Sequence, residues 1–304
     1  MKRRHACKLL AGATAASLAR TAQSAPETTG FKLRYILSSA MFGEMPLDTI
    51  LPEVAKTEAE AIDIWCKPHG NQREQIDAMG HDQAQALFAE HKVTPAVFTR
   101  YPLGPFALQE EMRVAKNFGA AILVCGTGGP SEPKGIDARK AMREFLEKMK
   151  PHVAAAEAQG LTIALENHDR QLLYHPDSLR CFAELNKSKH LGIAFAPHHL
   201  HAFTDEIPAL IRDLGADHLP FIYFQEHSEG IRNKVAKEIE MQQMPGFGGS
   251  LDYKPVLKAL EDIGFTGYGE IFMHPTPRGI PILPTVAEIT NAINRSRAYL
   301  ESCL

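Results

Sequence analysis

Eight short apolar runs of β type, each followed by a stretch with helical spacing, recur from residue 31 to the C-terminus and constrain this 304-residue chain more than any other feature. The β-type runs are Leu33 to Ser38, Ala61 to Cys66, Thr94 to Thr99, Ala121 to Gly126, Thr162 to Glu166, Gly192 to Ala196, Phe221 to Gln225 and Tyr268 to Phe272. Between them, Leu47 to Glu58, His81 to His91, Leu108 to Phe118, Asp137 to Ala158, Pro176 to Asn186, Glu206 to Leu214, Leu251 to Ile263 and Thr285 to Leu300 carry apolar residues at helical spacing. Runs that are apolar on both faces belong to strands buried on both faces, which requires a parallel sheet covered by helices. Eight units in roughly 270 residues fit a closed barrel better than an open sheet with a second domain. No G-x-G-x-x-G turn follows the first strand, which weighs further against a dinucleotide fold. The expected fold class is therefore α/β, a single (β/α)8 TIM barrel over residues 30–304.

The first residues read as a separate object. Met1-Lys-Arg-Arg4 is a basic segment, Leu9 to Ala19 is apolar and rich in small residues, and Ala22-Gln-Ser24 offers a cleavage site. This pattern predicts an export signal over residues 1–25, twin-arginine-like through Arg3 and Arg4, and a periplasmic or secreted protein rather than a membrane span. With 33 basic and 36 acidic residues and a net charge of -3, the chain lacks the basic excess of a protein that binds nucleic acid. Its cysteines, Cys66, Cys125, Cys181 and Cys303 beyond the signal, have no C-x-x-C spacing and predict neither a zinc cage nor a disulfide. The sequence leaves a homo-oligomer open.

Two of the apolar runs carry a carboxylate beside imidazoles, in Leu161-Thr-Ile-Ala-Leu-Glu-Asn-His168 and in Tyr268-Gly-Glu-Ile-Phe-Met-His274. A carboxylate in a buried parallel strand is costly unless something pairs with it, and a divalent cation is one such partner. Two structural acids, each held by a Lys or Arg, are the alternative. Counting with period two places Glu166 with Ala164, Glu270 with Tyr268 and Phe272, His198 with Ala194 and Ala196, and Gln225 and His227 with Tyr223. If Glu166 points inward, these strand ends converge on one pocket supplied with two carboxylates, one or more imidazoles and an amide. Mixed nitrogen and oxygen donors suit manganese, zinc, cobalt or iron without selecting one.

Barrel enzymes keep their sites on the segments that follow the strands. Residues 226–250 depart from the regular unit, with His227 and the run Met244-Pro-Gly-Phe-Gly-Gly-Ser250, and predict a lid or substrate loop. His274-Pro-Thr-Pro-Arg-Gly-Ile-Pro-Ile-Leu-Pro284 is stiffened by its prolines and is expected to position Arg278. Trp65 and His69 are expected at a substrate wall, His168, His199 and His227 at hydrogen-bonding positions, and Arg278 opposite a phosphate or carboxylate.

The chain resembles the xylose-isomerase-like barrel family of sugar phosphate isomerases and ketose 3-epimerases. The resemblance rests on Ala164-Leu-Glu-Asn-His168, on Ala196-Pro-His-His199 and on Glu270 preceded by Gly264-Phe-Thr-Gly-Tyr268. It implies a metal held by a Glu after the fifth strand, an Asp after the sixth, a His after the seventh and a Glu after the eighth. Glu166 and Glu270 match, whereas the Asp falls on Ala196, the seventh-strand His on Gln225, and the sixth-strand His on His199. The resemblance then implies Glu166, His198, Gln225 and Glu270 as the metal ligands, with His198, two residues past Ala196, in place of the Asp, Gln225 binding through its carbonyl oxygen, and His227 as the reserve for the seventh strand. The resemblance further implies a small carbohydrate substrate, with Glu166 and Glu270 as the catalytic pair of an isomerase or epimerase, one removing and one returning a proton next to a carbonyl. A lyase that eliminates the group at C1 of a 3-keto-glycoside uses the same pair. A non-catalytic sugar-binding barrel is the reading from another class.

Overall fold

The computed structural model describes residues 30–304, so the expected export segment lies outside the described residues. The apolar runs become eight parallel strands: β1 (Arg34–Ser38), β2 (Ala61–Trp65), β3 (Pro95–Thr99), β4 (Ile122–Gly126), β5 (Thr162–Glu166), β6 (Leu191–Phe195), β7 (Phe221–Phe224) and β8 (Tyr268–Ile271). They close in sequence order, with β1 pairing both β2 and β8. The fold is a (β/α)8 TIM barrel, as expected. Closure pairs every strand on both sides, and nearly every strand residue is buried, which is why the strands read as continuous apolar runs.

The outer ring contains α1 (Leu47–Lys56), α2 (Gln72–Met79), α3 (His81–His91), α4 (Gln109–Asn117), α5 (Gly135–Gln159), α6 (Pro176–Leu185), α7 (Ile207–His218), α8 (Lys237–Glu240), α9 (Tyr253–Asp262) and α10 (Val286–Glu301). Several helix starts carry side-chain caps that satisfy otherwise free amides. Asp252 accepts from Lys254 N ahead of α9, and Thr285 with Glu288 forms a reciprocal capping box at α10.

Two segments differ from the sequence expectation. The unit after β2 holds two helices rather than one, broken at Gly80, whose φ of 85° is open to glycine and strained for other residues. The extra helix, α2, is polar along most of its length, so periodicity does not reveal it. Its Arg73 is buried and binds Glu111 of α4 in a two-pronged ion pair at 2.7 and 3.2 Å. The second difference lies in residues 226–250, which carry short helical turns that apolar spacing does not reveal. They contain a 3-10 turn at Glu229–Ile231, α8, and another 3-10 turn at Met241–Gln243. The four cysteines are unbridged, as expected.

Candidate metal and substrate site

Glu166 is the last residue of β5, and the next residue fixes what faces it. Asn167, fully buried, accepts from Ala196 N at 2.7 Å and donates to Ala196 O at 2.9 Å. This clamp continues the β5–β6 pairing one step beyond the strands. Pro197 then starts a 3-10 helix, as suits a residue with fixed φ and no amide hydrogen, and the turn brings His198 and His199 toward Glu166.

Ligand atoms of Glu166, His198 and His199 lie within 4.8 Å of one another, and all three residues are buried. His199 Nε2 is 3.7 Å from Glu166 Oε1, and the two imidazole centroids are 4.1 Å apart. Burial lowers the pKa of both imidazoles, and for His198 the neighbouring histidines lower it further. Both rings are thus neutral near pH 7, the form whose free nitrogen lone pair can bind a metal.

Asp169 holds the other side of this group. Its carboxylate sits 3.4 Å from His199 Nδ1 and 2.8 Å from His168 Nδ1, and Arg232 forms an ion pair with it. The hydrogen bond with His199 holds the Asp169 carboxyl far below the usual carboxylate range, with help from His168 and Arg232 and against the effect of burial. A carboxylate on the far nitrogen of an imidazole fixes its tautomer and orients the other nitrogen toward the metal side.

A cavity of about 340 Å³ opens above these groups, walled by Trp65, His69, Tyr101, His168 and Arg278. The expected substrate-wall residues Trp65, His69, His168, His199 and Arg278 all reach it. Trp65 stacks on Phe272 with centroids 4.8 Å apart and planes within 9°, an arrangement worth about 0.5–1.5 kcal/mol beyond area burial. Burial lowers His69 to about 3, so this ring is a neutral hydrogen-bonding group. The Tyr101 hydroxyl, 3.2 Å from that of Tyr223, is pushed well above its ordinary pKa by burial and by Glu166, and so stays protonated.

Glu270 lies deeper in the barrel than Glu166, and both of its carboxylate oxygens lack a hydrogen-bond partner. It is the third residue of β8, fully buried, and is not among the residues that line this cavity or that group with Glu166. Its neighbour is Asp63 of β2, also fully buried, which accepts from Thr99 Oγ1 at 2.6 Å. Burial pushes Asp63 up to about 7, and burial together with the adjacent Asp63 charge pushes Glu270 well above the usual range. With both Glu270 oxygens and Asp63 Oδ1 buried without a hydrogen-bond partner, ionising both carboxyls at once is costly. Period two places Trp65 two residues beyond Asp63 and Phe272 two beyond Glu270, so their stack caps the pair.

Gln225 is held by its amide nitrogen. Its Nε2 donates to Gln243 Oε1 at 2.9 Å, and Gln243 in turn donates to the His274 carbonyl at 3.2 Å. The Gln225 amide is thereby tied to the loop, while its Oε1 has no partner. His227 lies on a second, outer cavity and not on the inner one. Of the expected ligands, Glu166 and His198 come within 4.8 Å of one another together with His199, while Glu270 and Gln225 keep buried side-chain oxygens without a hydrogen-bond partner.

Many buried polar atoms around the mouth lack protein partners, including His198 Nδ1, His69 Nδ1, both ring nitrogens of His274 and Gln225 Oε1. Unpaired buried polar groups are costly, and in a concave site they point to a bound ion or substrate. Two neutral imidazoles and a carboxylate with such surroundings fit a divalent transition metal. The sequence reading missed Asn167, Asp169, Asp63 and Tyr101. Asp63 had a signal, an ionisable residue inside the otherwise apolar run Ala61-Ile-Asp-Ile-Trp65.

Residues 51–301 match the model of a family described as xylose isomerase-like TIM barrel. No curated protein matches the chain by sequence. Among solved structures, the chain is similar to an IOLI protein with a binding zinc atom, at 17% identity and a TM-score of 0.68 over 90% of this chain and 99% of that one. It is similar to D-psicose 3-epimerase with D-tagatose from Clostridium cellulolyticum H10, at 15% identity and a TM-score of 0.66, covering 90% and 99%. A third similar structure is the probable 3-DHS dehydratase AsbF from Bacillus anthracis, at 12% identity and a TM-score of 0.65, covering 88% and 98%. At these identities the likeness to solved structures establishes the fold alone.

Proposed function

The chain belongs to the xylose isomerase-like TIM barrel family, and from that premise we propose that it is a metal-dependent carbohydrate isomerase or epimerase that abstracts a proton next to a carbonyl. The observation that carries this reading is the meeting of Glu166, His198 and His199 at the barrel mouth, under a cavity of about 340 Å³. These three residues would hold the ion. When bound, a divalent metal supplies charge stabilisation for the enediolate that forms as the proton leaves.

Glu166 carries the proton in this reading, because the other carboxylate on the cavity lining, Asp169, is engaged by His168, His199 and Arg232. Tyr101, beside it with a protonated hydroxyl, donates a hydrogen bond to a substrate oxygen, and Arg278 keeps a positive charge over the same cavity. Trp65 provides an apolar face and, with Phe272, closes the floor against water. A single carboxylate that takes a proton from one carbon and returns it to the next accomplishes an aldose–ketose isomerisation. Inversion at one carbon needs a second group on the opposite face, and the protonated Asp63–Glu270 pair lies beneath the Trp65 floor.

Elimination from a glycoside is the second reading, favoured by the outer cavity that adjoins the site and has room for a leaving group. We further infer from the basic, Ala-rich N-terminus that the protein acts outside the cytoplasm. Cell fractionation tests this, and an uncleaved cytosolic product would overturn it.

The decisive experiment combines metal analysis with solvent deuterium. The purified protein is expected to carry about one equivalent of Mn, Zn, Co or Fe, lost on chelation, and to exchange a carbon-bound proton of a sugar substrate with solvent. Isomerisation conserves one sugar, whereas elimination releases an aglycone. Absence of a bound divalent ion would overturn the metal reading, and sugar binding without proton exchange would leave a non-catalytic barrel.

A further inference from the structure

The inner cavity is not the larger one. An outer cavity of about 660 Å³ adjoins it, and the two share His198, His199, Ile231 and Arg232 as a common wall. Residues 226–250, which the chemistry of Glu166 does not require, form most of the outer chamber.

This wall is built and held. Ser228 caps the 3-10 turn that carries Ile231, accepting from Gly230 N at 3.2 Å. Gly230 packs so closely on α8 that an added Cβ would meet Glu240 Cα at 2.6 Å. Glu240 is buried and accepts from Thr276 N at 2.8 Å, and it pairs with Lys237. At the far end of the loop, Glu226 accepts from Leu251 N at 3.0 Å. Arg232 completes the partition by its ion pair with Asp169, so the groups that orient His199 also divide the two chambers.

Besides the charged Glu229 and Arg232, the lining of the outer chamber is rich in hydrogen-bonding groups: His201, His227, Ser228, Asn233, Gln242 and Ser250. The rings of His201 and His227 lie 5.6 Å apart. His227 Nδ1 has no partner, and neither does Nδ1 of His198, which is only 3% exposed and borders both chambers. Donors and acceptors with unmet capacity, beside one arginine already paired with Asp169 and one glutamate, match a hydroxyl-rich ligand better than a phosphate, which would call for clustered cations. Ile231 and Ile239 add apolar surface for the C–H faces of such a ligand. A single small unit fits within the inner chamber, at the low end of ligand-pocket sizes, and would leave the outer chamber without use.

We propose that the outer chamber is a second subsite and that the substrate is a glycoside or oligosaccharide of at least two units, one in the inner chamber at Glu166 and one between His227 and Ser250. This rests on the carbohydrate reading of the site and extends it to the size of the substrate.

The test measures binding of a panel of free mono-, di- and trisaccharides of mixed linkage to the full-length protein by calorimetry and ligand-observed NMR. Two variants alter the outer chamber, Ser250→Trp to fill it and Gln242→Ala to remove a hydrogen-bonding group, and both are checked for folding by circular dichroism. Two-unit sugars are expected to bind best, and Ser250→Trp to weaken them by about tenfold or more while changing one-unit affinity by less than about twofold. Gln242→Ala should weaken only the two-unit ligands, by about threefold to tenfold. Equal affinity for one and two units, or two-unit binding indifferent to both variants, would overturn the second subsite and leave the carbohydrate reading intact. If no sugar in the panel binds, the carbohydrate reading itself falls.

Discussion

Glu166 and Glu270 sit on the same barrel and share a sequence context, yet their surroundings differ in nearly every physical respect. Glu166 closes its strand, opens onto a cavity and meets neutral imidazoles backed by the Asp169 carboxylate. Glu270 lies within its strand, followed by five further buried residues, and faces a second carboxyl under a stacked pair of aromatic rings. The first environment supplies partners that a metal or substrate can complete. The second withholds solvent and makes the carboxyl keep its proton. A buried acid is therefore not by itself a catalytic acid; what decides its role is whether a cavity reaches it.

The largest expected effect separates the two glutamates directly. Glu166→Gln should lower turnover by about 10²–10⁴ and reduce the bound metal measured by mass spectrometry, whereas Glu270→Gln should retain the metal. Equal loss of metal in both variants would erase the distinction. Trp65→Ala comes next, because it removes the cap over the Asp63–Glu270 pair and leaves a large void. It should destabilise the fold by about 3–5 kcal/mol in urea unfolding, and a loss under about 1 kcal/mol would mean that the stack does not seal the interior.

Asp169→Asn tests the mouth alone. It leaves the shape of the carboxylate but weakens the hold on His199, and metal affinity in a chelator competition should fall about 10–100-fold. Unchanged affinity would show that the Asn167 clamp on Ala196 suffices to set the imidazole. The smallest effect at any single pH concerns Asp63, and it is read as a slope. Because burial raises Asp63 to about 7 and pushes Glu270 well above its usual range, the folded state holds more protons than the unfolded one above about pH 4. The pair's contribution to stability is therefore lost as pH rises through 7. Asp63→Asn should flatten that decline in urea unfolding from pH 5 to pH 8, and an unchanged slope would argue against a proton held on Asp63.

The glutamates also mark how far the sequence could be read. All eight strands were legible to within a residue or so of their ends, since apolar runs on both faces leave a parallel barrel as the economical solution. The inward side of β5 and β7 followed from period two, and Trp65, His69, His168 and Arg278 reached the expected wall. The polar helix α2 was not legible, because its place is set by the buried Arg73–Glu111 pair, a contact across 38 residues. Nor were Asn167 and Asp169 legible as the parts that orient the imidazoles, since each acts on a partner about thirty residues away, along a backbone path that only the folded chain provides.

By itself, then, the sequence determined the barrel, its strand order and the position of Glu166 at a strand exit, because strand period and helix spacing are local properties of the chain. Only the tertiary structure decided that Glu166 meets His198 and His199 while Glu270 meets Asp63. Which side chains become neighbours across a closed barrel depends on strand register and on the turns that follow each strand, and a turn such as Pro197 to His199 is shaped by a clamp from another strand.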